Sequence, residues 1–321
     1  MGKVDIESKK YMRDKKHFAD AFNYLLYEGK PIIDPEDLYP ADTTEMAVPY
    51  GNNAAVPKQR YRDVLKIWHV LKDEKAVYAV LGIENQSNIH YAMPVKTGLY
   101  DFMNYSGQTE EAEKSYRTKD EKSDGKDSIP MSKAEFLSGF RKEDRLMPVI
   151  SLVVHLGSEK WDGHISIHEM LNTNDETILK YVPDYHINLI DPYAMNDEEF
   201  LKFKTDFGKV LKYIKYSGDA ERLQQIVYED SYQSIDKGSA DLINAATGSK
   251  LKYRAKEGKV DMCKAIDDMR NASREEGEKT GENKLAALID ELFSCGRVDD
   301  AKKAVKDATY RAGLFKEFRM R

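Results

Sequence analysis

Cysteine is nearly absent from this chain: Cys263 and Cys295 are the only two in 321 residues. Two thiols are too few for a disulfide framework or for a zinc site built on thiolates. A reducing cytoplasm is the simplest expectation. Long apolar runs are missing as well. No stretch approaches the roughly 20 apolar residues that span a bilayer, so no membrane partner is expected. The opening Met1-Gly2-Lys3-Val4-Asp5 lacks the apolar core of a signal peptide. Position 6 is Ile6 rather than Ser or Thr, so Gly2 is not expected to carry a myristoyl group. A basic excess is also missing. The net charge is −6, from 50 Lys+Arg against 56 Asp+Glu. The chain-wide positive footprint of many nucleic-acid binders is therefore not there. An acidic metal site would lower the formal count until its cation binds. Local clusters exist: Lys58, Arg60, Arg62 and Lys66 surround Asp63 in sequence, and an N-terminal arm holds Lys3, Lys9, Lys10, Arg13, Lys15 and Lys16. The arm reads as a solvated face.

What is present is a high charged fraction, 33%, beside 41% hydrophobic residues. That balance suits a folded protein with a well-solvated surface. The length allows one large domain, or a core with an appendage. Residues 14–29 carry Phe18, Phe22 and Leu25 at helical spacing, with Gly29 as a stop. Residues 31–45 are rich in Pro, Asp and Thr and are expected to be irregular. Two strand-like pieces follow within 46–69, then Ala76-Val77-Tyr78-Ala79-Val80-Leu81-Gly82-Ile83, an apolar run of the kind buried on both faces of a sheet. From Tyr91 to about Tyr116 the pattern is helical, with Val95, Leu99, Phe102 and Met103 as its apolar side. Residues 117–133 are charged and read as a surface loop. Residues 146–155 and 185–190 are further strands. Beyond 196 the pattern is helical: 196–215, 219–233, 237–246 and 260–317, the last with breaks near Gly277, Gly281 and Gly296. The order is that of an α/β core with a helical C-terminal extension.

The apolar run ends in Glu84-Asn85-Gln86, where turn residues are the usual finish. Glu84 and Gln86 are two apart and share one strand face. Asp63 lies in the preceding strand-like stretch. Carboxylates at the mouths of neighbouring strands, with an amide beside one of them, suit a hard divalent cation and a polarised water. The plain alternative is a pair of strand-end ion pairs, Asp63 with Arg62 or Lys66 and Glu84 with a lysine. Other patterns are weaker. His164 and His168 are four apart but lack a third ligand and the Glu that follows the first His in zinc peptidases. Glu278-Lys279-Thr280-Gly281 lacks the strand and glycine of a phosphate loop. Tyr91, Tyr100 and Tyr105 lie along the helix after the site. Tyr91 and Tyr105 read as core-edge tyrosines.

Several segments together resemble one family. They are Phe18-Ala19-Asp20-Ala21-Phe22-Asn23, Arg62-Asp63-Val64, Ile83-Glu84-Asn85-Gln86-Ser87, His90-Tyr91-Ala92-Met93-Pro94-Val95, Tyr100-Asp101, Leu146-Met147-Pro148-Val149-Ile150 and Trp161-Asp162-Gly163. In this order, over residues 14–195, the chain resembles the PD-(D/E)XK nuclease family transposases, the Rpn or YhgA-like recombination-promoting nucleases. The resemblance implies a restriction-endonuclease-like core, a mixed sheet flanked by helices, over 14–215, with 216–321 as a helical region. It implies Mg²⁺-dependent cleavage of DNA, with Mn²⁺ able to substitute. It makes Asp63 and Glu84 metal ligands, puts Gln86 where most of the superfamily has Lys, and adds Asp20 as an acidic residue from the first helix. The helical wheel, by contrast, puts Asp20 opposite the apolar stripe, on the solvent side. Arg62, Lys96 and Tyr100 would contact substrate. Lys96 stands where Arg is expected, and an ammonium is a poorer phosphate fork than a guanidinium. The acidic balance and Gln86 also leave open a second expectation: a weakly cleaving nuclease fold that acts as an interaction module. Leu285, Leu288, Ile289 and Leu292 suggest a homodimer through the C-terminal helices.

Overall fold

The apolar run and its neighbours form the spine of a mixed sheet. The computed structural model describes residues 2–41, 44–47, 58–61, 63–72, 75–122, 131–228 and 232–319. Strands β1 (Leu38–Pro40), β4 (Val64–Lys72), β5 (Lys75–Gln86), β6 (Val149–His155) and β7 (Asn188–Ile190) lie in the order β1-β4-β5-β6-β7. A separate pair, β2 (Thr44–Ala47) and β3 (Lys58–Tyr61), is antiparallel. β1, β4 and β5 are antiparallel neighbours; β5, β6 and β7 run parallel. A parallel step needs a crossover, and α3 (Met93–Lys122) supplies the one from β5 to β6. Pro94 falls in its first turn, where a missing N–H costs nothing.

Helices cover both faces. Lys66 of β4 pairs with Leu81 of β5 and shares its face. There its Nζ donates to the carbonyl of Arg13 at 3.0 Å and lies 5.2 Å from the Phe18 ring. That face is covered by α1 (Lys3–Arg13) and α2 (Lys15–Tyr27). Asp14 ends α1 and caps α2 by accepting the Lys16 N–H. Phe18 and Phe22 are fully buried, each contributing roughly 2–3 kcal/mol. The opposite face carries α3 and a cluster of Met93, Val153, Trp161 and Ile187.

Short helices α4 (Lys133–Ser138), α5 (Glu176–Leu179) and α6 (Asp197–Phe200) lead to α7 (Phe207–Tyr216), α8 (Ala220–Val227) and α9 (Lys237–Thr247). Tyr11 of α1 bonds Ser239 of α9 at 2.9 Å, and Tyr232 donates to the Lys209 carbonyl. These ties hold the segment beyond 215 to α1 and α7. The chain accordingly divides later than expected, with residues 1–250 and 255–260 in one unit and 251–254 and 261–321 in the other. The second unit is α10 (Met262–Ser294), α11 (Val298–Lys306) and α12 (Ala308–Glu317). Its core is Leu288, Leu292, Ala301, Ala304 and Leu314, with Ile289 packed against it. Two of the leucines that suggested a homodimer are thus spent inside their own unit.

Several expectations are corrected. α3 continues to Lys122, so the start of the 117–133 stretch is helical; Lys, Glu and Arg are good helix formers even without an apolar face. α10 runs unbroken through Gly277 and Gly281, and the chain turns only at Gly296, whose φ of 72° suits glycine. The expected apolar side of α3 is largely outward: Val95, Leu99 and Phe102 are exposed, while Met103 is buried. Among the described residues, no helix is long and apolar enough to cross a membrane.

Candidate active site

Register decides which side chains meet. Val64 pairs with Ile83, so one further step puts Asp63 beside Glu84. An Asp63 carboxylate oxygen, Oδ2, accepts the backbone N–H of Asn85 at 2.9 Å and pins the carboxylate to the strand end. On the other side of β5, Glu84 pairs with Val153 and Gln86 with His155 in parallel register. Paired residues share a face, so Glu84, Gln86, Val153 and His155 point toward the α3 side. Asp63, Glu84 and Gln86 thus lie at the ends of the neighbouring strands β4 and β5.

α3 supplies the counter-charge. Lys96 Nζ lies 2.9 Å from Glu84 Oε2, and 5.8 Å from the Tyr100 ring centre. The Glu84 side chain is 3% exposed and that of Lys96 is 29% exposed. Burial works to lower the Lys96 pKa, but the Glu84 carboxylate, with help from Asp63, raises it above the usual lysine value. Lys96 therefore stays an ammonium. Asp63 is more open, its side chain 30% exposed, with Lys9 Nζ of α1 at 3.9 Å. α1 also reaches the end of β5 through Asp5, which accepts the Ser87 hydroxyl at 3.1 Å. The N-terminal arm is thus helical and packed beside the site, while its basic side chains Lys3, Lys10, Arg13 and Lys16 are exposed, the solvated face that was expected.

The other expected residues divide. Tyr100 is buried and flanks Lys96. Arg62 lies outside the described residues. Lys66 is turned away to the Arg13 carbonyl and is not the partner of Asp63. Asp20 needs correction on both expectations. It is 4% exposed rather than solvated. Its oxygens accept the N–H groups of Lys204 and Thr205 at 2.8 and 2.9 Å and the Thr205 hydroxyl at 2.6 Å. Those bonds commit three of its roughly four lone-pair sites to holding the segment before α7, a structural role. His164 and His168 do not form a pair: His164 faces Glu169, and His168 faces Asp184.

Two features escaped the sequence. Asp101, next to Tyr100, accepts the hydroxyls of Ser151 on β6 and of Tyr185, tying α3 to the sheet behind the site. His155, at the end of β6, is buried with Nε2 2.7 Å from the Glu159 carbonyl. A carbonyl only accepts, so the proton sits on Nε2. No spacing rule points to either, because their partners are distant in sequence or are backbone.

The donor set fits a hard, water-rich cation. Mg²⁺ is typically held by one or two carboxylates and keeps several waters or substrate oxygens. Asp63 and Glu84 supply two hard oxygens on adjacent strand ends, one of them accessible. Among the described residues, no group of three or more His, Cys, Asp or Glu could hold a metal ion, so a closed cage of protein ligands is not what this edge offers.

Residues 132–237 match the family described as "Putative transposase, YhgA-like". That match bears out the YhgA-like part of the resemblance read from the sequence. The matched segment holds β6, β7 and Trp161-Asp162-Gly163. No curated protein and no solved structure matches the chain.

Proposed function

Taking the YhgA-like transposase family as premise, we propose that this chain is a metal-dependent DNA endonuclease with a PD-(D/E)XK-type core. The observation that carries the reading is the meeting of Asp63 and Glu84 on adjacent strand ends, with the Lys96 ammonium against Glu84. Asp63 and Glu84 would hold Mg²⁺ or Mn²⁺, which when bound supplies Lewis acidity and a more acidic bound water. Gln86 shares the face of Glu84. Its amide is no base at neutral pH, but its oxygen can orient a water and its NH₂ can meet a phosphate oxygen. Lys96 and Lys9 bring positive charge to the phosphate despite the acidic balance of the chain. Asp101 holds α3, and hence Lys96, against β6.

The test is cleavage of supercoiled plasmid in Mg²⁺, Mn²⁺ or EDTA, with Asp63→Ala and Glu84→Ala purified in parallel. Metal-dependent nicking that both variants abolish is the expected result. Cleavage surviving in Glu84→Ala overturns the site. No cleavage with any metal favours a second reading, an interaction module on the same fold. One observation supports that reading: Tyr91, Val95, Leu99 and Phe102 form an exposed stripe on and before the first turns of α3.

A further inference from the structure

Glu84 is a buried carboxylate, and the ammonium of Lys96 on a neighbouring helix lies 2.9 Å from its Oε2. An ionised carboxylate held out of water without a compensating charge is strongly disfavoured. Without a metal, something must neutralise it, and Lys96 does so directly. The two partners differ in freedom. The Glu84 side chain is 3% exposed, while that of Lys96 is 29% exposed and so has a path outward. A lysine is a compact charge on a flexible four-carbon stem, able to leave without disturbing the backbone. Gln86, on the same face, brings no charge of its own.

We propose that Lys96 is a built-in stand-in for the divalent cation: its ammonium holds Glu84 while the site is metal-free, and a metal must displace it, freeing it for substrate phosphate. This rests on the reading of Asp63 and Glu84 as metal ligands. The physical basis is competition. A divalent ion bound at either Glu84 oxygen would repel the ammonium that lies 2.9 Å from Oε2. The displaced side chain would stay tethered at the first turn of α3, where its partial exposure gives it a path to solvent. Metal loading therefore switches on a positive charge facing the substrate, and the order metal before nucleic acid is built into the site.

The experiment is Mn²⁺ titration of the full chain by calorimetry, with no nucleic acid, for wild type, Lys96→Met and Lys96→Gln. Removing the competitor should tighten Mn²⁺ binding about tenfold, equivalent to about 1.4 kcal/mol. Two uncharged variants guard against one of them failing to fold. A second readout is anisotropy of a labelled DNA duplex with Ca²⁺ in place of Mn²⁺. Ca²⁺ should strengthen duplex binding by wild type and do so less in the variants. Equal or weaker Mn²⁺ affinity in both variants overturns the stand-in role and leaves the metal site intact. No Mn²⁺ binding by any of the three overturns the metal reading itself, and the stand-in role with it.

Discussion

Two carboxylates of the first unit are almost equally buried and live in opposite surroundings. Asp20 is 4% exposed and accepts three hydrogen bonds from neutral donors, the N–H groups of Lys204 and Thr205 and the Thr205 hydroxyl. Glu84 is 2% exposed and faces an ammonium on a flexible stem. Burial alone therefore does not mark a reactive acid; the kind of partner does. Backbone donors are fixed by the fold and cannot be exchanged for a ligand without unmaking a segment. A lysine can be exchanged for another cation. Asp20 belongs to the architecture, and Glu84 is the acid proposed to trade partners.

The largest expected effect tests that division through chemistry. Glu84→Gln keeps the shape and removes the charge. It should lower metal-dependent plasmid cleavage by about 100-fold or more, since even outer-shell changes at metal sites cost about 10–100-fold. Its thermal unfolding should change little. Asp20→Ala should behave the other way round. Stripping the acceptor leaves the donors of Lys204 and Thr205 without it, a loss of about 3 kcal/mol in urea unfolding at the scale of charged hydrogen bonds. Cleavage per folded molecule should stay near wild type. If Asp20→Ala instead abolishes cleavage at unchanged stability, the two acids do not differ in role.

Much of this contrast was readable in the sequence, but only on one side of it. The run ending in Glu84-Asn85-Gln86 gives its own strand, and the alternation puts Glu84 and Gln86 on one face. Helix α2 is equally plain from Phe18 and Phe22. The fate of Asp20 was not readable, because its partners stand 184 and 185 residues later in the chain. Periodicity reports one helix's faces, not what a distant loop brings to them. Lys96 shows the same limit. The resemblance implied a phosphate contact for it, and pairing of Glu84 with some lysine was the plain alternative; that Lys96 is that lysine depends on how α3 crosses β5. The exposed stripe of α3 is a third case: helical spacing made Val95, Leu99 and Phe102 a core face, but the helix buries the Met93, Gly98, Tyr100, Asp101 and Met103 side instead.

A third carboxylate extends the comparison to pH. Asp236 caps α9 by accepting the Ser239 N–H and hydroxyl, with His17 at 3.7 Å. Burial works to raise its pKa, but the bonds from His17 and Ser239 outweigh it and hold the group well below the usual carboxylate range. A depressed folded pKa means stability that is complete above the unfolded value, about 3.9, and lost as pH falls through and below it. Asp236→Asn should cost about 1 kcal/mol at neutral pH, the size of a helix cap. It should also flatten the acid limb of an unfolding profile below about pH 4. An unchanged acid limb would show that the cap carries no proton-linked stability.

The smallest effect separates the two lysines. Lys9 stands 3.9 Å from Asp63, and both side chains are partly open to water. Lys96 stands 2.9 Å from a carboxylate that is closed off. Water screens the first pair, and such pairs are worth about 0–1 kcal/mol. Lys9→Ala should therefore change Mn²⁺ affinity by less than about fivefold, beside the larger change expected for Lys96→Met. Calorimetric titration of the two variants side by side measures this. An equal response would mean that total charge near the strand ends governs metal loading, and that burial of Glu84 gives Lys96 no special place. A graded response would tie the hold on the metal site to the ammonium whose carboxylate partner is the more buried.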